Sequence, residues 1–436
     1  MNVLKFGGTS VGSPERIKEV ANLALNYVPG IIVLSAMGGV TDKLVEIGQK
    51  LYIGDKEGAK EIIDSLQQKY VTVVEQLYNS AEGKQKGKSL IEKHFTQLRK
   101  LLNSPFSEKE EKEILAEGEL ISTHFFLYYL EEIGVPAAII PALDFMRINE
   151  DKEPDFNFIR ENVKKQIEKN SDKKVLITQG YICRNVNGEI DNLQRGGSDY
   201  TATLIGAAIH ANEVQIWTDI DGVHNNDPRI VDNTKPVTNL SFDEAAELAY
   251  FGAKILHPLC VIPCIQENIP VHLKNTMDPD AFGTLISGES IGDGIKSIAA
   301  KDGITAIKVK SSRMLLAYGF LRKVFEIFEK YKTPIDMITT SEVSVSVTID
   351  NEKYLNEITY ELNQFGSVEL DKGQSIICVV GNLIAENKGL AAKVFNALKD
   401  IPIRMISYGG SRHNISVLIP TNDKKQALNK LSKHVF

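Results

Sequence analysis

Lys5-Phe6-Gly7-Gly8-Thr9-Ser10-Val11-Gly12 decides how the rest of this 436-residue chain is read. It follows the short apolar run Val3-Leu4 and leads into Ser13-Pro14. The run predicts a strand. Ser13 suits an N-cap, and Pro14 suits the first helical position. The order is therefore strand, glycine turn, helix N-terminus, with a lysine at the strand's end. Free N–H groups and the dipole at a helix N-terminus favour an anion. Gly7 and Gly8 carry no Cβ to hold backbone away from a ligand. Lys5 adds a full positive charge. A phosphate-bearing ligand is the first expectation. The plain alternative is an ordinary strand–turn–helix junction with an exposed lysine. The loop is not a P-loop, because G-x-x-x-x-G-K-[ST] occurs nowhere in the chain.

The next segment repeats the plan. Helix 14–28 carries Ile17, Val20, Ala21, Ala24, Leu25 and Val28 as one apolar stripe. Ile31-Ile32-Val33-Leu34 is an unbroken apolar run, as a buried parallel strand requires. It ends in Ser35-Ala36-Met37-Gly38-Gly39-Val40-Thr41, a second loop of glycines and hydroxyls. Ligands of open α/β sheets bind beyond the carboxyl ends of the strands, so the two loops are expected to face one site. Ordinary turn and cap chemistry is the alternative for Ser35 and Thr41.

At 436 residues two or three domains are expected. Hydrophobic residues make up 43% and charged residues 25%, as in a soluble globular protein. The net charge of −7 leaves no basic excess for a nucleic acid. No apolar run approaches membrane-spanning length, and Met1 leads straight into a strand, so a cytoplasmic location is the expectation. Cys183, Cys260, Cys264 and Cys378 form no paired C-x-x-C set and read as buried small hydrophobes; no metal site is expected from them.

Residues 42–135 read as largely helical, with 79–90 as an exposed connection rich in Asn, Ser, Gly and Lys. Ala116-Glu117-Gly118-Glu119 reads as the head of an apolar helix through Leu130, where Glu119 would favour the dipole. Short strands are expected at 135–140 and 175–182. Arg195-Gly196-Gly197-Ser198-Asp199 then opens another helix, and its arginine can meet a carboxylate or phosphate with two parallel bonds. The strand 214–218 ends in Thr218-Asp219-Ile220-Asp221-Gly222, followed by a loop through Arg229. Ser241-Phe242-Asp243-Glu244 is a capping box for a helix expected to run through Gly252-Ala253-Lys254.

The last third contains a repeat. Gly319-Phe320-Leu321-Arg322-Lys323-Val324-Phe325 matches Gly389-Leu390-Ala391-Ala392-Lys393-Val394-Phe395, and alternating strands follow at Val343 to Val347 and at Ile415 to Ile419. Each unit reads βαββαβ, the ferredoxin-like order. A regulatory module is expected, with a bare dimerisation module as the alternative.

Cations, glycines and acids at strand ends, without a Ser–His–Asp set or a dinucleotide fingerprint, suit phosphoryl transfer. With Gly118-Glu119-Leu120, Phe251-Gly252-Ala253-Lys254, Asp227-Pro228-Arg229 and Ile338-Thr339-Thr340-Ser341-Glu342 added, the chain resembles the aspartate kinases of the amino-acid kinase superfamily. The resemblance spans essentially the whole chain. It implies an α/β amino-acid-kinase fold, a mostly parallel sheet between helices, over 1–290. Two ferredoxin-like ACT domains would follow over 300–436, the first (about 305–372) inserted in the second (about 373–436 plus the strand near 296–304).

It also implies transfer of the γ-phosphoryl of ATP, with Mg²⁺, to the β-carboxylate of L-aspartate, giving 4-phospho-L-aspartate for lysine, threonine and methionine biosynthesis. By resemblance, Lys5 neutralises charge on the phosphoryl and Asp199 holds Lys5. Ser35, Thr41, Glu119, Arg195 and Ser198 match substrate positions, with Glu119 at the ammonium. Lys5, Gly7, Gly8, Thr218, Asp219, His224, Arg229 and Lys254 match nucleotide positions; His224 stands where relatives often have tyrosine. Met314, Phe320, Leu321, Asp336, Ser341 and Glu342 match an effector pocket, and the long helical segment near 52–105 resembles the lysine-sensitive, single-polypeptide class. A homodimer through the ACT domains, or a tetramer, is implied, with L-lysine as effector. Another amino-acid or carbamate kinase, or a non-catalytic amino-acid sensor, are the rivals.

Overall fold

The computed structural model describes residues 1–193, 196–252, 256–292, 294–311 and 318–436. Two compact units emerge, Met1–Gly222 with Leu256–Gly288, and Val223–Ile255 with Glu289–Phe436.

The first unit is built on a sheet whose strands run in the order Ala137–Ile139, Val175–Gln179, Gly30–Leu34, Asn2–Phe6, Val214–Thr218, Val271–Asn275 and Thr284–Ser287. All neighbours are parallel except the last pair. Gly30–Leu34 and Val175–Gln179 are buried at every position, which explains their unbroken apolar sequence. Phe6 stacks on the single tryptophan, Trp217, with ring centroids 5.9 Å apart, and both are fully buried. Because these strands run the same way, the loops after Phe6, Leu34, Gln179 and Thr218 all leave from one edge of the sheet.

Three long helices, Lys56–Leu77, Ala81–Leu101 and Glu108–Glu132, pack beside the sheet. Two expectations fail here. Residues 79–90 are not an exposed connection: Ser80 caps a helix that starts at Ala81. A Cβ on Gly87 would lie 2.7 Å from Val74 Cγ2, so that glycine serves close helix contact and not a turn. Nor does a helix begin near Glu119. The capping box Ser107/Glu110 starts it at Glu108, so Glu119 lies mid-helix, 3% exposed, where a dipole role does not apply. All four cysteines are buried and free, as expected.

In the second unit the strands run Ile338–Thr340, Ser344–Ile349, Gly294–Lys310, Ser367–Asn382, Asn414–Pro420 and Met405–Tyr408, antiparallel throughout. The repeat is visible in three dimensions. Gly319 and Gly389 are both left-handed N-caps, at φ 83° and 85°, opening the helices Phe320–Lys330 and Leu390–Ala397. The long strands Gly294–Lys310 and Ser367–Asn382 serve both repeats, with the register breaking between Lys301 and Ile304. Each half buries its own core, one around Val324, Val347 and Ile358, the other around Val394, Val417 and Leu428. The helix capped by Ser241 ends at Tyr250, short of the expected Lys254. Gly252 follows at φ 113°, and a Cβ there would lie 2.2 Å from the Ala300 carbonyl oxygen, so backbone packs against backbone.

Candidate active site

The strand-end loops of the first unit enclose a cavity of about 470 Å³ lined by Lys5, Ser35, Thr41, Glu119, Tyr181, Gly196, Gly197, Ser198 and Asp199. Each wall has a local cause. Lys5 stands one residue before the end of the strand Asn2–Phe6, buried to 8% exposure. Thr41 lies in the first turn of the helix Val40–Tyr52, and Ser198 and Asp199 lie in the first turn of Gly197–Ile209. Both helices start from a left-handed glycine, Gly39 at φ 74° and Gly196 at φ 73°. The cavity therefore faces two helix N-termini and one lysine, a setting that favours anions.

Lys5 Nζ pairs with Asp199 Oδ1 at 2.7 Å, both side chains being largely buried. The carboxylate holds the ammonium at the cavity wall and keeps it from wandering. Ser35 Oγ donates to Ser198 Oγ at 3.0 Å, which joins two of the loops. The Ser35–Ala36 backbone is latched to the helix Glu108–Glu132: Ser122 Oγ donates to the Ser35 carbonyl at 2.8 Å, and the Ala36 N–H donates to Glu119 Oε1 at 3.1 Å. Glu119 Oε2 is buried and has no hydrogen-bond partner among the described residues. Burial pushes the Glu119 carboxyl up to about 8, with the Ala36 N–H pulling the other way. A carboxyl so raised holds its proton at neutral pH, and an incoming cation would favour its ionised form.

Gly118 permits this latch. A Cβ there would lie 2.6 Å from Ala36 Cβ. Gly118→Ala is expected to cost about 1–3 kcal/mol by overpacking. Thermal unfolding should show the melting midpoint falling by about 3 °C or more. An unchanged midpoint would mean that the loop yields without cost.

Of the substrate and catalytic residues expected from sequence, the cavity gathers Lys5, Ser35, Thr41, Glu119, Ser198 and Asp199. Arg195, Lys254 and Met314 lie outside the described residues. Gly7 and Gly8 form the turn after Lys5, but Gly8 answers a packing need: its Cβ would lie 2.8 Å from the Ala36 carbonyl oxygen. Thr218 ends its strand, and its hydroxyl donates to the Ile220 carbonyl at 3.2 Å, with Asp219 between them. His224 and Arg229 belong to the second unit. There His224 Nδ1 meets Thr234 Oγ1 at 2.8 Å, and Arg229 forks onto Asp227 at 2.9 and 2.8 Å. Tyr181, a cavity wall, escaped the sequence reading.

Of the effector-pocket residues expected from the resemblance, Phe320 is core, edge-on to Phe365. Leu321 is exposed and Ser341 Oγ meets Ser344 Oγ at 2.8 Å, with exposed Glu342 next to it. The Asp336 side chain is 1% exposed; its Oδ1 accepts Lys301 Nζ at 2.7 Å and the Tyr250 hydroxyl at 3.1 Å. Lys301 also reaches Asp350 at 2.9 Å. Burial pushes the Asp336 carboxyl up, and Lys301 opposes this.

Comparison with known proteins shows the family. Residues 1–275 match the amino acid kinase family, and residues 377–435 match an ACT domain. Lysine-sensitive aspartokinase 3 of Escherichia coli is 34% identical over 447 residues, covering 100% of this chain and 99% of its own. Aspartokinase 1, chloroplastic, of Arabidopsis thaliana is 35% identical, covering 100% of this chain and 80% of its own. The crystal structure of E. coli aspartokinase III with aspartate and ADP (R-state) superimposes with a TM-score of 0.86 at 34% identity, over 100% of both chains. The same enzyme with lysine and aspartate (T-state) gives 0.81 at 33% identity, over 100% of this chain and 99% of its own. The chain belongs to the amino acid kinase family. Within that family it is an aspartokinase, an enzyme with an ACT-type regulatory region.

Proposed function

We propose that the cavity binds L-aspartate beside Mg-ATP and that its residues act in the transfer of the γ-phosphoryl to the β-carboxylate. One β-carboxylate oxygen attacks the γ-phosphorus, the bond to the ADP oxygen breaks, and 4-phospho-L-aspartate and ADP leave. The nucleophile is already ionised at neutral pH, so no general base is needed. The obstacle is repulsion between two anions, and cations and N–H donors must offset it. Lys5, held by Asp199, meets the transferring phosphoryl. The helix N-termini at Thr41 and Ser198 take carboxylate charge, with Ser35 beside Ser198 and Arg195 as the clamp. Gly7, Gly8, Thr218 and Asp219 serve the nucleotide. Mg²⁺ enters as the counter-ion of that nucleotide and supplies further charge neutralisation when bound.

The observation that carries the reading is Glu119. A buried carboxylate with one oxygen unpartnered, on the wall of a cavity that otherwise favours anions, fits a substrate bearing an ammonium group as well as carboxylates. ADP release should be measured with Mg-ATP and L-aspartate, beside glutamate, carbamate and N-acetyl-L-aspartate. Turnover confined to aspartate supports the assignment, and equal turnover of N-acetyl-L-aspartate removes the role of Glu119.

For the second unit we read 300–436, with the inserted arrangement of its two halves, as the regulatory region of a cytoplasmic homodimer inhibited by L-lysine. Two carboxylates, Asp336 and Asp350, share the single ammonium of Lys301, and Asp336 Oδ2 is buried without a partner among the described residues. That surplus of negative charge suits a diammonium ligand. Asp336→Asn should weaken inhibition by lysine about tenfold or more, read as the rate with lysine over the rate without it in one preparation. An unchanged inhibition curve would take Asp336 out of the effector site.

A further inference from the structure

Tyr181 is the cavity residue that nothing in the reaction chemistry above uses, and its backbone is unusual. It holds φ at 68°, in the left-handed region that suits glycine and that a bulky side chain rarely adopts. Such a conformation persists only where the surroundings enforce it, and it clusters at ligand sites. Here the enforcement is visible. The Tyr181 N–H donates to Thr201 Oγ1 at 3.1 Å, and the Tyr181 carbonyl accepts the Leu193 N–H at 2.7 Å. Thr201 is itself tied to the Gly197 carbonyl at 2.9 Å.

Glycines on both sides let the pieces interlock. A Cβ on Gly180 would lie 2.6 Å from Ser198 Cβ, and a Cβ on Gly197 would lie 2.6 Å from Tyr181 Cδ2. The ring therefore sits close against Gly197, the first residue of the helix that presents Ser198 and Asp199. Glu119 and Tyr181 line the same cavity.

We propose that Tyr181 is a specificity-determining residue: its ring is a fixed wall that sets the length of amino-dicarboxylate the cavity accepts between Glu119 and the Lys5–Asp199 pair. This rests on the reading of the cavity as the aspartate site. A substrate longer by one methylene meets the ring, and a rigid wall discriminates by one methylene roughly 10- to 200-fold. A strained backbone that cannot relax keeps the wall from yielding.

The test is kcat/KM for L-aspartate and for L-glutamate with the full chain. Tyr181→Gly keeps a backbone that tolerates positive φ, so the fold is expected to survive; circular dichroism and the melting midpoint check this. The aspartate-to-glutamate ratio should fall about tenfold or more in Tyr181→Gly, and Tyr181→Phe should restore it. A merely structural role would lower both substrates together and leave the ratio alone. A ratio within threefold of wild type in Tyr181→Gly, or a loss in Tyr181→Phe as deep as in Tyr181→Gly, would overturn the proposal. Failure of the wild-type chain to prefer aspartate over N-acetyl-L-aspartate would instead remove the reading beneath it.

Discussion

Lys5→Ala is expected to lower kcat for ADP release by about 10³-fold, with a much smaller change in the KM for ATP. One preorganised donor at a developing charge accounts for about 10²–10³ in rate. Lys5 should exceed a neutral donor, because it carries a full charge and its position is fixed by the 2.7 Å pair with Asp199. The substitution also leaves Asp199 without its cation in a largely buried place, which adds a folding penalty. Asp199→Asn should act through Lys5, so Lys5→Ala/Asp199→Asn should be far less impaired than the product of the single effects. Steady-state kinetics on the four proteins of the cycle, each checked for folding, decides this. Full additivity would mean that the two groups act independently.

Glu119→Gln is the second large effect. On the proposed role of Glu119, the KM for aspartate should rise about 100-fold, because a group able to ionise against the substrate ammonium becomes a neutral amide. The same residue gives a stability signature with a definite sign. Its carboxyl sits at about 8 when folded and near the ordinary carboxylate value when unfolded. Between those values the folded chain holds a proton that the unfolded chain has lost. Stability contributed by this group is therefore full below the unfolded value and falls as pH rises towards about 8. Glu119→Gln removes that dependence. Without ligands, the variant should gain on wild type by about 1 kcal/mol or more between pH 5.5 and pH 8. Denaturant unfolding at the two pH values measures it. A wild-type curve that parallels the variant across this range would place the carboxyl at an ordinary value.

The parts of this fold that were legible from sequence share a physical reason. Val3-Leu4 and Ile31 to Leu34 are buried parallel strands, so they had to be apolar without alternation, and the polar loops that end them had to face solvent or ligand. Gly319 and Gly389 matched because both must adopt positive φ at a helix start. The misreadings share a reason too. Residues 79–90 look like a loop by composition, yet Gly83 and Gly87 are there because neighbouring helices come close, a cause that lies outside the segment. The start at Glu108 was signalled by Ser107-x-x-Glu110, but the apolar run that usually follows a capping box begins a turn later. Six cavity residues were assigned by resemblance to known kinases, and the geometry brings those six together. Tyr181 carried no such signal. Nothing in Thr178-Gln179-Gly180-Tyr181 announces that a tyrosine, not the glycine before it, takes the left-handed conformation.

On the proposed reading, a carboxylate of L-aspartate is phosphorylated while Glu119 holds the substrate through its ammonium. The most direct measurement traps the acyl phosphate with hydroxylamine in reactions containing Mg-ATP and either L-aspartate or N-acetyl-L-aspartate, with wild type and Glu119→Gln. Hydroxamate is expected from L-aspartate with wild type, about 100-fold less with Glu119→Gln at low substrate, and none from N-acetyl-L-aspartate. Hydroxamate formed equally from both substrates, or unaffected by Glu119→Gln, would contradict it.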